Sequence, residues 1–204
     1  MLEAESYEAL QKFTAVSKQE FDELAQAVSA QDYEKAVELI LTAQRNGNRV
    51  HITGIGKPSH VAEYIASLLS STGTPTYYLH GTEAVHGSCG QLVPGDVVIC
   101  ISNSGETAEL KSTVTAVKSN GCKVISVTGN LQSWLAGQGD ACLYAGVKQE
   151  GGPLNRAPRA SILAETFVLQ GLSVVLQNIR GLTPEEYVRR HPGGTLGRLR
   201  ENEK

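Results

Sequence analysis

Apolar side chains recur at helical spacing through the leading part of the chain and then give way to short, nearly continuous runs. Over residues 3–29 and 32–46 they fall three and four apart. Phe21, Leu24, Ala25 and Val28 form one stripe and Ala36, Leu39, Ile40 and Ala43 another, until Asn46-Gly47-Asn48 ends the pattern. Two leading helices are predicted. Five apolar runs follow, at 49–54, 74–79, 96–102, 123–128 and 141–147, most of them separated by helix-like stretches. Runs without polar alternation, with helices between them, predict a parallel sheet covered on both faces. The expected fold class is therefore three-layer α/β/α, a doubly wound five-stranded parallel sheet with leading N-terminal helices. It is read as a single domain over 1–204, with a helical segment (3–46), an α/β core (49–180) and a tail (183–200). The stretch Ser161 to Gln177 is apolar round most of a helix and needs cover on two sides. Either another subunit supplies one side, giving a homo-oligomer, or the helix is buried centrally within the monomer.

In such sheets ligands bind outside the carboxyl ends of the strands, which directs attention to residues 54–59, 80–91, 102–107, 128–130 and 148–156. Among these, Ser102-Asn103-Ser104-Gly105-Glu106-Thr107 joins an apolar run to a helix-like stretch (108–120). That arrangement aims unpaired N–H groups, the positive end of a helix dipole and several hydroxyls at one point, as an anion site requires. A strand-turn-helix also places Ser104 where a serine simply caps the helix, so the turn alone leaves both readings open. The P-loop pattern is absent, and Gly54-Ile55-Gly56-Lys57-Pro58-Ser59 lacks the third glycine of a dinucleotide fingerprint. A small phosphorylated metabolite fits better than a nucleotide.

Composition narrows the classes further. With 18 basic and 21 acidic residues, net charge −3 and 5% aromatics, the chain offers neither a basic field nor stacking platforms for nucleic acid. No apolar run of bilayer length is read from the sequence and the first residues are acidic, so no membrane association and a cytoplasmic location are expected. Four cysteines without a CxxC pair fit a reducing compartment. His80, His86 and Cys89 lie close in sequence but lack a fourth ligand for structural zinc. The segment from His191 to Arg198, His-Pro-Gly-Gly-Thr-Leu-Gly-Arg, breaks regular structure. It is either a terminal turn of no consequence or a carrier of a histidine to an active site, that of a neighbouring subunit included.

Several of these segments, taken in order, carry a resemblance. Gly54-Ile-Gly-Lys57, Ser71-Thr-Gly-Thr-Pro75, Glu83-Ala-Val-His86-Gly87, Ser102 to Thr107, Gly152-Pro-Leu-Asn-Arg-Ala-Pro158 and His191 to Arg198 together resemble the sugar-isomerase (SIS) domain of bacterial D-arabinose 5-phosphate isomerases, over roughly residues 20 to 200. The resemblance implies an aldose–ketose isomerase that interconverts D-ribulose 5-phosphate and D-arabinose 5-phosphate through an enediol, supplying 3-deoxy-D-manno-octulosonate (Kdo) synthesis for lipopolysaccharide or capsule. Related readings are a 6-phospho-3-hexuloisomerase-like enzyme and a non-catalytic SIS regulator that binds a sugar phosphate.

The family match makes Lys57, Glu109, Glu150 and His191 catalytic candidates and His86 a further active-site histidine. A carboxylate, Glu150 or Glu109, would take the C–H proton, Lys57 would stabilise the enediolate, and His191 would act as acid or shuttle. Ser59, Ser102, Asn103, Ser104 and Thr107 are expected to bind phosphate, while Gly73, Thr74, His80 and His86 line the sugar. No cofactor is implied, and His80 matches a position linked to inhibitory divalent metal such as zinc. The partner expected is a sugar phosphate, and the expected assembly is a homo-oligomer, a tetramer. Two departures stand out: Pro58-Ser59 where the family commonly has Ser-Gly after the lysine, and Ser88-Cys89 where an acid often follows His86-Gly87. Many relatives continue into paired cystathionine-β-synthase-type (CBS) modules, so a form lacking them is expected.

Overall fold

The computed structural model describes residues 3–203. Two helices lead, α1 (Ala4–Ala27) and α2 (Ala30–Arg45). The sheet elements β1 (Val50–Gly54), β2 (Thr76–Tyr78), β3 (Val97–Ile101), β4 (Lys123–Thr128) and β5 (Ala141–Tyr144) alternate with α3 (Lys57–Ser71), α4 (Ala108–Ser119) and α5 (Trp134–Gln138). After β5 come α6 (Ala160–Arg180) and α7 (Pro184–Arg190). All four pairings are parallel and the strand order is β2-β1-β3-β4-β5. The predicted α/β class, strand count and leading helices are therefore observed, with β2 and β5 shorter than their apolar runs.

The central strands are buried on both faces, which is why their sequences lack alternation. One face packs Val50, Ile52, Ile99, Ile125 and Val127 against α2, α3 and α6. The other packs Val98, Cys100 and Val124 against Leu110, Val114 and Val117 of α4 and Leu135 of α5. At the amino edge of the sheet, buried Asp96 fastens two strand starts. Its carboxylate accepts the N–H groups of Arg49 (2.8 Å) and Val93 (3.0 Å) and meets His51 Nε2 at 3.1 Å.

The long helix is not buried centrally within the monomer, the second of the two expectations. It is neither wholly buried nor wholly covered, since Leu169, Leu172 and Leu176 are inside while Leu163, Phe167, Val174 and Ile179 are exposed. The reading that no segment reaches bilayer length is corrected: α6 is long and apolar enough to cross a membrane, by length and composition. Half of that stretch is buried in the fold against other elements, as in the core helix of a layer. The tail also holds a helix the sequence reading lacked. α7 starts with a capping box, Thr183 N–H to Glu186 Oε2 (3.1 Å) and Glu186 N–H to Thr183 Oγ1 (3.3 Å), with Pro184 in its first turn.

Candidate functional site

The strand order reverses between β1 and β3, so a crevice opens outside their carboxyl ends. The chain leaving β1 forms one wall and the chain leaving β3 the other. On the β3 side, Ser102 to Thr107 is a rigid turn. Gly105 has φ +68°, and a Cβ there would overlap Ser133 Oγ, so no side chain fits. Ser102 Oγ accepts the Gly105 N–H (3.1 Å) and lies 3.2 Å from Thr107 Oγ1, while Ser104 Oγ accepts the Glu106 N–H (3.2 Å). Glu106 accepts the Trp134 N–H (2.7 Å) and Lys111 Nζ (2.5 Å), which ties α5 to the turn. The Lys111 ammonium holds the Glu106 carboxyl below its ordinary range.

This geometry removes the capping reading of the turn. Thr107, the residue that enters α4, makes no side-chain cap, and Ser104 spends its oxygen on Glu106 N–H, outside the helix. The first-turn amides of α4 thus carry no side-chain cap, as an anion at this point would require. On the β1 side, Gly54 and Pro58 are packed so tightly that a Cβ on Gly54 would sit 2.8 Å from the Pro58 carbonyl carbon. Pro58 thus fits the first turn of α3, the departure from the family pattern notwithstanding. Lys57 opens α3 and is exposed, heading a groove of about 380 Å³ that Tyr64, Pro158 and Ile162 also line. Glu109 lies exposed in the first turn of α4.

Glu150 arrives from the loop after β5. Its Oε2 accepts the N–H groups of Arg159 (2.6 Å) and Ser161 (3.2 Å) at the start of α6, where the helix dipole favours a negative group. The loop that carries it is anchored from a distant element. Buried Glu20 of α1 accepts the Lys148 N–H (2.7 Å) and the Gln149 N–H (3.0 Å). Thus α3, α4 and α6 all begin at the same sheet edge, each bearing or holding one of Lys57, Glu109 and Glu150.

The remaining predicted residues divide. His80 and His86 belong to this edge, in the loop after β2 that Thr113 of α4 holds through a 2.5 Å hydrogen bond to Gly81 O. His80 Nδ1 receives the Glu83 N–H (3.3 Å) and contacts Thr82 Oγ1 (3.0 Å). Among the described residues, no cluster of three His, Cys, Asp or Glu side chains suits a metal. Asn103 is half-buried, and its backbone oxygen accepts the Gly129 N–H (2.9 Å).

Several of the expected residues are engaged within the fold or lie elsewhere. Ser59, expected at the phosphate, donates its O–H to Gly56 O at 2.6 Å and closes the turn that starts α3. Ser102 is buried inside its own turn, leaving Ser104, Thr107 and the amides as the open groups. Gly73, Thr74 and His191 are not at this edge of their own chain. Thr74 follows the far end of α3, about 22 Å along the helix from Lys57 at 1.5 Å per residue. There Thr74 Oγ1 accepts from Arg180 Nε (3.0 Å), Gly73 packs under Arg180 and Arg190, and His191 stacks on Tyr187 at 4.0 Å between ring centroids.

Two buried acids were missed by the sequence reading, Glu20 and Glu165. Glu165 had a visible signal, being the only charged residue from Ala160 to Gln177. Glu20 had none, because α1 carries many acids and only the fold turns this one inward.

Comparison with known proteins matches this architecture to named relatives. The SIS domain family model matches residues 44–174. An arabinose 5-phosphate isomerase KdsD of Pseudomonas aeruginosa is 42% identical over 82% of this chain and 50% of its own length. An arabinose 5-phosphate isomerase KpsF of Escherichia coli O6:H1 is 35% identical over 86% of this chain and 53% of its own. The chain spans about half the length of the curated relatives it matches. Among solved structures, a protein of E. coli CFT073 in complex with arabinose 5-phosphate superposes with TM-score 0.85 at 31% identity, covering 94% of this chain and all of that one. A putative phosphosugar isomerase involved in capsule formation from Bacteroides fragilis superposes at 0.81 with 35% identity, covering 93% and 98%. With the family model covering well over half its residues, and with the switch-point turn and helix starts in place, this chain belongs to the SIS domain family.

Proposed function

We propose that this chain is an aldose–ketose isomerase that interconverts D-ribulose 5-phosphate and D-arabinose 5-phosphate in the cytoplasm, supplying Kdo synthesis. The observation that carries the reading is the convergence of three helix starts on one crevice. Open amides and hydroxyls of the Ser104–Thr107 turn fit a phosphate, and Lys57, Glu109 and Glu150 stand round it. The names of the relatives and the arabinose 5-phosphate bound to one solved neighbour support the substrate. The reaction moves one proton between C1 and C2, so it asks for a base, charge stabilisation at the oxygens and a fixed phosphate. Glu150 is assigned the C–H proton, since backbone N–H groups hold one of its oxygens and leave the other for the substrate. Lys57 faces the developing oxyanion, and Glu109 stands beside the phosphate turn.

His191, Gly73 and Thr74 enter this scheme through a homo-oligomer. They sit at the amino edge of the sheet, so the site is completed when that edge of one copy meets the carboxyl edge of another. The exposed apolar residues Leu163, Phe167, Val174 and Ile179 on α6 and Leu154 beside the Glu150 loop, 80% exposed, suit such contact.

The test is conversion of D-ribulose 5-phosphate by the purified chain, with Lys57→Ala and His191→Ala variants alone and co-assembled. Turnover by the unaltered chain, loss in each variant and partial recovery in the mixture are expected. Binding without turnover would make the chain a sugar-phosphate sensor. Loss without recovery in mixed oligomers would refute the shared site.

A further inference from the structure

His191 is the candidate acid or shuttle, and the tail around it fixes which of its two ring nitrogens is free. It follows α7 directly, one helical turn after Tyr187. In a regular helix the His191 N–H would donate to the Tyr187 carbonyl, four residues back. Here it donates to Val188 O at 3.0 Å, so the last turn tightens and Tyr187 O is left without that amide. The imidazole takes its place, with Nδ1 2.9 Å from Tyr187 O. A carbonyl oxygen only accepts, so the proton of this hydrogen bond belongs to Nδ1. In the neutral ring Nε2 is then the bare nitrogen, and among the described residues it has no hydrogen-bond partner.

Two further contacts hold the ring in place. The Tyr187 ring stacks on it, 4.0 Å between centroids with the planes 25° apart, and covers one face. The tail then turns back at Gly194, and Gly197 packs on His191 O so closely that a Cβ on Gly197 would overlap it. No acid shares the task. Among the described residues the histidines that meet a carboxylate are His51 and His60, and Arg190, beside His191 in the chain, packs over Gly73. Half-buried His191 is thus held by its backbone, one face and one nitrogen, and Nε2 is the atom left to act.

We propose that Tyr187 is the positioning residue of His191: its carbonyl keeps the neutral imidazole in the Nδ1–H form and its ring sets the plane, so that Nε2 moves the hydroxyl proton of the substrate. The inference rests on the isomerase reading, in which His191 serves the site of another copy. From ketose to aldose, Nε2 takes the proton from the oxygen on C1 and the ring becomes imidazolium, with Nδ1 still bound to Tyr187 O. The same proton passes to the oxygen on C2 as the carbonyl there becomes a hydroxyl, and the ring is neutral again. Glu150 carries the carbon-bound proton separately. A ring in the Nε2–H form would offer a donor where this step needs an acceptor.

The test uses the full chain with 15N-labelled histidine at about pH 8.5, two units above the ordinary imidazole value. His191→Ala identifies the resonances of this ring among the five histidines. In the unaltered chain, without substrate, they should be those of a protonated Nδ1 and a bare Nε2. Tyr187→Leu keeps the carbonyl and an apolar side chain but removes the flat face, and Tyr187→Phe keeps both carbonyl and face. Tyr187→Leu should mix the two tautomers and lower kcat about tenfold or more, with KM within about threefold. Tyr187→Phe should hold the single tautomer and a kcat within about twofold of the unaltered chain. An Nε2–H ring in the unaltered chain would overturn the proposal, whether or not the variants fold. So would a folded Tyr187→Leu with undiminished kcat, or a Tyr187→Phe as slow as Tyr187→Leu. Absence of turnover in the unaltered chain would fail the isomerase reading, while the tautomer would still decide how Tyr187 holds the ring.

Discussion

Glu20 ties the first helix to the loop that presents Glu150, so its removal reports on how the candidate base is held. The carboxylate is 5% exposed and accepts two backbone N–H groups, from Lys148 at 2.7 Å and Gln149 at 3.0 Å. In Glu20→Ala both amides lose a charged acceptor. Hydrogen bonds to charged groups contribute about 1.5–3 kcal/mol each, and water entering the gap recovers part of this, so a net loss of about 2–4 kcal/mol is expected. Glu20→Gln keeps one acceptor but turns an NH2 toward the second amide, so it should lose about half as much.

The neighbouring Glu23 supplies the control. It meets the same Lys148, but through an exposed ammonium at 2.6 Å, so Glu23→Ala should leave global stability unchanged within error. Urea unfolding gives the global loss, and hydrogen exchange resolved to the Lys148 and Gln149 amides gives the local one. Protection at those two amides should fall in Glu20→Ala and persist in Glu23→Ala. Since Glu150 is the next residue in the loop, kcat should fall with it while phosphate binding at the Ser104–Thr107 turn is retained. Equal stability in the two variants, with exchange at 148 and 149 unaltered, would refute the anchoring role.

Three further outcomes follow from the packing and the charges. Gly105→Ala places a Cβ on Ser133 Oγ at a positive φ, so the turn must deform; inorganic phosphate and sugar phosphate should bind at least tenfold more weakly by calorimetry, with far-UV circular dichroism unchanged. Asp96→Ala strands the Arg49 and Val93 amides at the amino edge and should cost about 3–5 kcal/mol in urea, seen as a lower midpoint. Glu165 should make stability fall with rising pH, because its folded pKa is raised. Its titration adds no penalty below the unfolded value of 4.5, the deficit grows by about 1.4 kcal/mol per pH unit up to about 8, and it is constant beyond. The difference in unfolding free energy between Glu165→Gln and the unaltered chain should therefore widen between pH 5 and 8 and level off above. A difference independent of pH would show that Glu165 is not held neutral.

The architecture was legible because it is written in local patterns. Buried parallel strands read as unbroken apolar runs, and the Ser102–Thr107 turn announces itself through hydroxyls and a glycine between a strand and a helix. The same patterns could not assign partners to individual hydroxyls. Ser59 and Ser104 look alike in sequence, yet the first closes its own turn on Gly56 O while the second remains at the crevice. Nor could they say which end of the sheet a residue reaches. Lys57 and Thr74 are separated by one helix, and the length of α3 puts them at opposite edges. α7 escaped notice because seven residues are too few to show a period, and only its capping box and Pro184 mark it.

The buried acids show the converse limit. A charge in an apolar helix is visible in the sequence, but its meaning depends on what lies across from it. Had Glu165 faced Lys57 it would be half of an ion pair, and its burial would need no further account. Instead it has no hydrogen-bond partner, and burial, with the negative charge of Glu150 adding to it, raises its pKa. The fold treats the two acids by unequal means. Glu150 receives two backbone N–H groups and a helix start, while Glu165 receives none. That inequality leaves burial, the larger cause, to push the Glu165 pKa up to about 8.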